Sequence, residues 1–181
     1  MSLSCAARLP QLAGRPMVTD GGLETDLIFH HGVDLPLFAA FPLIDSPGGR
    51  SLLTAYYDEY ATIARRAGAG LMLASATWRA NPDWGTRLGY SPAGLARVNQ
   101  AAISMLAELR DSYRDGLTDV VISGMVGPRG DGYQPGAADL DEGDIGLLAD
   151  GHRQLLSALP AVTIVGGCCG TDARHVNALW D

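Results

Sequence analysis

Lysine is absent from the sequence; all 13 of its basic Lys and Arg residues are arginine. That excludes Schiff-base chemistry on a lysine amine and a Walker-type phosphate lysine. Cysteine is scarce: three residues, Cys5, Cys168 and Cys169, two of them adjacent. An odd, clustered set excludes the disulfide framework of a small secreted protein and fits reduced thiols in the cytoplasm. Positive charge is also short, 13 basic against 20 acidic residues for a net charge of −7, so a general nucleic-acid binder is not expected. No run approaches the roughly 18 apolar residues of a membrane helix, and the start lacks the apolar stretch of a secretory signal. The expectation is a cytoplasmic protein that acts on a small molecule, with no nucleic-acid or membrane partner.

The chain has 181 residues, 47% of them hydrophobic and 18% charged, enough to bury a core in one domain spanning 1–181. Met17-Val18-Thr19 reads as a short strand stopped by Asp20-Gly21-Gly22. After a loop with Pro36, Pro42 and Pro47, residues 51–67 recur at helical spacing through Leu52, Leu53, Tyr56, Tyr60, Ile63 and Ala64, with Gly68 as the stop. Leu71 to Ala74 predicts a second strand. Ser91-Pro92 opens the clearest helix, whose apolar face is Leu95, Val98, Ala102, Met105, Leu106 and Leu109. Val120 to Ile122 predicts a third strand before a glycine-rich loop, Gly124 to Gly136. A weaker helical pattern covers 140–159, Val162 to Val165 reads as a fourth strand, and Thr171 or Asp172 could cap a last helix. Alternating strands and helices indicate a parallel sheet, whose ligands gather at the C-terminal ends of the strands.

Among the segments that could carry chemistry, Cys168-Cys169 comes first. Adjacent side chains on a strand point to opposite faces, so both thiols can reach one metal only if the backbone bends. Gly166, Gly167 and Gly170 allow that bend. Zinc takes thiolates at about 2.3 Å, and a catalytic site keeps a position open for a substrate group. Two buried structural cysteines, or a redox-active vicinal pair, would give the same sequence.

Asp20-Gly21-Gly22-Leu23-Glu24-Thr25 sets two carboxylates and exposed glycine amides at a strand end. The amides could hold a substrate carboxylate, while Asp20 or Glu24 receives its ammonium group. A plain Asp-Gly turn with a helix cap is the alternative. The Gly127-Pro128-Arg129-Gly130 loop could close over a ligand or simply connect. In the segment Ala76 to Asn81, Trp78 could wall a pocket or pack. His30, His31, His152 and His175 lack metal-ligand spacing and read as surface or packing residues.

Taken in order, these motifs resemble the homocysteine S-methyltransferase family. Asp20, Gly21, Gly22, Thr25 and Leu27 match its opening Asp-Gly-Gly-x-x-Thr-x-Leu. The Thr77 to Asn81 segment is similar to its Thr-Tyr-Gln-Ala stretch, with Trp78 at the aromatic place. Gly127-Pro128 resembles its loop after the third strand, and Gly-Gly-Cys-Cys-Gly-Thr is present in full from Gly166 to Thr171.

The resemblance implies a (β/α)8 TIM barrel in which zinc, held by three cysteines, activates the thiol of homocysteine. The methyl donor would be S-methylmethionine, S-adenosylmethionine or betaine, and the product methionine. Cys168 and Cys169 map onto two zinc ligands and act catalytically through the metal. Asp20, Gly21, Gly22, Glu24, Thr25 and Thr77 map onto substrate binding. The family's third cysteine, in an Asn-Cys motif, has no counterpart here, and Cys5 precedes the first strand. A full barrel takes about 250 residues, against the four strands legible here, so a segment of about strands 4 to 7 is expected to be missing near 150–151. Two other readings stay open: a barrel relative that binds a ligand or partner without zinc and without catalysis, and a phosphate site at Gly166-Gly167. A homo-oligomer is compatible with all of them.

Overall fold

Ser46 and Ser91 start the two longest helices by the same device. The Ser46 hydroxyl accepts the Gly49 N–H at 3.0 Å ahead of Pro47, and the Ser91 hydroxyl accepts the Gly94 N–H at 3.1 Å ahead of Pro92. Each hydroxyl satisfies one of the free amides of a first turn, where proline's missing N–H is not needed. In this computed structural model, the described residues are Pro10, 17–117, 119–128, 130–131 and 144–158. Residues 1–125 and 126–181 form two compact units.

The first unit runs β1 (Met17–Thr19), α1 (Leu23–Phe29), two 3₁₀ turns (Pro36–Phe38 and Phe41–Asp45), α2 (Pro47–Ala67), β2 (Gly70–Ala74), α3 (Pro82–Arg87), α4 (Pro92–Tyr113) and β3 (Val120–Ser123). The strands form a parallel sheet in the order β1-β2-β3. Register places Val18 beside Leu71 and Leu71 beside Val120, and Leu73 beside Ile122. Leu71 and Leu73 are fully buried with Val18, Val120 and Ile122 packed around the same core. Their alternates Met72 and Ala74, neighboured by Val121 and Ser123, are only half-buried. The period of two along each strand produces this split between faces.

All six apolar positions expected on α4 are buried, from Leu95 to Leu109. The face of α2 differs from the expectation. Leu52 and Ile63 are 38% and 39% exposed, and the buried face is Leu53, Tyr56, Tyr57, Ala61 and Ala64. Apolar residues cover so wide an arc of α2 that periodicity alone does not choose its centre. Contact with β1, β2 and the second 3₁₀ turn does. Gly49 lets that turn come close, since a side chain there would run into the Leu43 backbone. Gly68 ends the helix at φ 61°, a left-handed conformation that glycine adopts without strain.

Two helices escaped the sequence reading. α1 follows directly on Gly22, where the sequence offered a turn with a helix cap but no helix was placed. α3 begins at Asn81-Pro82, with the Asn81 side-chain oxygen accepting the Asp83 and Trp84 N–H groups. That is the Ser91-Pro92 signal in another form, and it was legible.

In the second unit, α5 covers Ile145–Ala158, shorter than the 140–159 pattern. Asp144 caps it, accepting the N–H groups of Gly146 and Leu147. The helix passes through Asp150 and Gly151 without interruption. These two residues mark the place where about strands 4 to 7 of a full barrel are expected to be missing, and here they are successive positions in one helix. The expected fourth strand, the Gly166 to Thr171 segment and the last helix lie outside the described residues. Among the described residues, no helix is long and apolar enough to cross a membrane.

Candidate active site

Because the three strands are parallel, their C-terminal ends share one edge of the sheet. Asp20 to Gly22 leaves β1 there, Ser75 to Asn81 leaves β2, and Gly124 with Met125 leaves β3.

Asp20 is half-buried, and Glu24 stands on the first turn of α1. Burial, aided by the negative charge of Glu24, pushes the Asp20 carboxyl up to about 6, against the pull of a hydrogen bond with its own backbone. Glu24 is also raised by burial, and it is held back by a backbone hydrogen bond and by the positive charge of Arg79. Two desolvated carboxylates within electrostatic reach of each other favour a cation between them.

Arg79 is 7% exposed and enclosed by aromatic rings. Its guanidinium carbon lies 3.8 Å from the Trp84 ring centroid, 4.8 Å from Trp78 and 5.9 Å from Phe38. Nη1 donates to the Leu37 carbonyl. Leu37 and Phe38 both adopt φ 56°, an unfavourable left-handed conformation for such side chains. The Arg79 bond and the surrounding rings compensate that strain, which is of order 1–3 kcal/mol per residue. Trp78 thus packs edge-on against Phe38 and beneath Arg79.

The loop after β2 is tied to β3 by a closed ring. The Met125 N–H donates to Ser75 Oγ at 2.8 Å, the Ser75 and Thr77 hydroxyls bond at 2.6 Å, and Thr77 Oγ1 donates to the Met125 carbonyl at 2.7 Å. The Thr77 proton is thereby committed. Thr25 is committed as well: its hydroxyl donates to the Gly22 carbonyl at 2.7 Å and fills the space a Gly22 side chain would need. Thr25 shapes the segment that carries the carboxylates, and Thr77 the loop that carries Arg79.

Behind the β1 end stands a group of α2 tyrosines that the sequence reading treated only as helix face. Tyr56 Oη donates to the Gly21 carbonyl at 3.1 Å, and Tyr57 Oη donates to the Ala74 carbonyl at 2.6 Å. Burial is the main reason both phenols are pushed far up, and the Asp20 charge adds to it in each case. No local sequence signal marks them; only the fold brings α2 to these strand ends.

Among the described residues, no group of three His, Cys, Asp or Glu is arranged to hold a metal. Cys168 and Cys169 lie outside them. His30 and His31 are exposed and share the Asp26 carboxylate, at 2.7 Å and 3.4 Å, as surface residues do.

A family model described as homocysteine S-methyltransferase matches residues 17–161. The chain belongs to the homocysteine S-methyltransferase family. That match holds the Asp20 strand end, Glu24, Thr77 and Arg79. The chain is also similar to the crystal structure of the homocysteine methyltransferase MmuM from Escherichia coli in its metallated form. Identity is 19%, the TM-score is 0.61, and the likeness covers 98% of this chain and 60% of that one. At that identity it shows the fold, an α/β arrangement on a parallel sheet. This member of the family spans about 60% of the length of that enzyme. No curated protein matches the chain.

Proposed function

We propose that this homocysteine S-methyltransferase family member transfers a methyl group from a sulfonium donor, S-methylmethionine or S-adenosylmethionine, or from betaine, to the thiol of homocysteine. The observation that carries the reading is the carboxylate pair Asp20 and Glu24 at the strand ends, beside Arg79. An α-amino acid presents an ammonium group that such a pair neutralises. Ionised Asp20 would hold that ammonium, Glu24 would share its charge, and the Gly21 and Gly22 amides would face its carboxylate. Thr25 and Thr77 would serve the ligand through the loops they hold. In the reaction the donor's S–CH3 or N–CH3 bond breaks as the homocysteine sulfur forms a new S–CH3 bond. The thiol proton is released, and the donor leaves as a neutral thioether or as dimethylglycine.

The cofactor in this reading is zinc, and the thiolates of Cys168 and Cys169 are the donors that suit it. When bound, zinc would lower the pKa of a substrate thiol. The reading further takes 1–181 as one barrel-type catalytic domain that acts in the cytoplasm on two small molecules.

The test combines a metal assay with methylation of homocysteine by each of the three donors. The expected result is one equivalent of zinc, methionine formation from at least one donor, and loss of both on Cys168→Ser or Cys169→Ser. Metal-free protein that binds homocysteine in calorimetry without turning it over would overturn the enzymatic reading in favour of a binding relative.

A further inference from the structure

We propose that Tyr56 and Tyr60, one helical turn apart on α2, are positioning residues for Asp20 and act on it through Gly21. The importance of Asp20 as an ammonium site rests on the proposed function; the positioning itself does not.

The geometry has three parts. First, the Tyr56 hydroxyl donates to the Gly21 carbonyl at 3.1 Å, fixing the peptide group next to Asp20. Second, the Tyr60 ring packs against the Tyr56 ring, with centroids 5.0 Å apart and planes tilted by 58°, so the two side chains form one unit. Third, a side-chain carbon placed on Gly21 would lie 2.8 Å from the Tyr60 hydroxyl oxygen and 3.8 Å from the next ring atom. A side chain at position 21 therefore fits only if the Tyr60 hydroxyl shifts.

Tyr56 is 3% exposed. A buried phenol whose ionisation is strongly opposed remains a donor at any ordinary pH, so the hold on Gly21 does not switch off. The Gly21 carbonyl is kept on the α2 side, and the preceding Asp20 side chain stays in the half-buried position where Glu24 acts on it. Gly21 is consequently more than a turn residue. It is the contact surface between the buried Tyr56, the half-buried Tyr60 and the carboxylate they place.

A double-mutant cycle on the full chain tests this. Gly21→Ala is expected to raise the KM for homocysteine about tenfold or more, with a much smaller change in kcat, because ligand-binding geometry is what moves. Tyr60→Phe removes the offending oxygen; alone it should raise KM about two- to threefold. The double variant G21A/Y60F should return to the level of Y60F. Tyr56→Phe should raise KM without that rescue. A second readout does not depend on activity: the Asp20 carboxyl, followed by carbon-13 NMR, should titrate lower in G21A and recover in the double variant. An inactive wild type would refute the proposed function and leave the NMR cycle to decide the positioning. Equal titration and KM in G21A and wild type would overturn the inference, and so would a G21A defect, in folding or in KM, that Y60F does not relieve.

Discussion

The Thr77 hydroxyl donates to the Met125 carbonyl at 2.7 Å and so ties the loop after β2 to the end of β3. Thr77 and its ring partner Ser75 are both buried, at 6% and 3% exposure. Thr77→Val should therefore destabilise the protein by about 1–3 kcal/mol, the cost of taking a partner from the buried Ser75 hydroxyl and the part-buried Met125 carbonyl. Thr77→Ser keeps the ring and should lose under about 1 kcal/mol, the value of one methyl group. Urea unfolding of the two variants checks both figures, and equal losses would show that the ring is not what holds the loop.

Asp20 titrates near 6 in the folded chain against an ordinary value of 3.8. A raised folded value means that the fold favours the protonated carboxyl. Stability contributed by Asp20 is thus fully present below about pH 4 and is lost as pH rises through 6. Asp20→Asn removes that loss. The variant should be more stable than wild type at pH 8, by on the order of 1 kcal/mol after allowing for solvent screening, and no more stable at pH 4. Thermal unfolding at the two pH values measures the difference.

Homocysteine binding should show the opposite dependence. In the proposed function its ammonium meets ionised Asp20, so affinity should fall as pH drops through about 6, the value to which burial raises that carboxyl. Calorimetric titration between pH 5 and pH 8 should show the fall in wild type. Asp20→Asn should bind weakly at every pH, and a wild-type profile flat across pH 6 would remove Asp20 from the ammonium site.

Arg79→Met keeps an unbranched apolar stem and removes the charge. It breaks the bond to Leu37, takes the Arg79 cation from Phe38, Trp78 and Trp84, of which Trp84 keeps Arg87, and removes the charge that restrains Glu24. A loss of about 2 kcal/mol or more is expected, together with a rise in the Glu24 titration. Arg79→Lys should restore part of the Glu24 effect and little of the stability, because a point charge cannot stack as a planar guanidinium does. Carboxyl NMR and chemical denaturation separate the two contributions.

Much of the helix and strand pattern is legible in the sequence. Ser91-Pro92 and the pattern after it announce α4 and six of its seven buried positions, and Met17 to Thr19, Leu71 to Ala74 and Val120 to Ile122 announce the sheet. Short-range chemistry determines these features: a hydroxyl satisfying a free amide, a period of two or of 3.6, a glycine that stops. α1 escaped because Asp-Gly-Gly reads equally well as a turn. The buried face of α2 escaped because apolar residues surround too much of the helix for periodicity to rank them.

The sequence by itself also determined that Asp20, Glu24 and Thr77 sit near strand ends, since each follows a strand closely. Only the tertiary structure decided what they do there. Arg79 restrains Glu24 across a separation of 55 residues, Tyr56 grips Gly21 from α2, and Thr77 spends its proton on Met125. Burial and electrostatics depend on distance in space rather than along the chain. A carboxylate's neighbours and its affinity for a proton are therefore set when the helices close over the sheet.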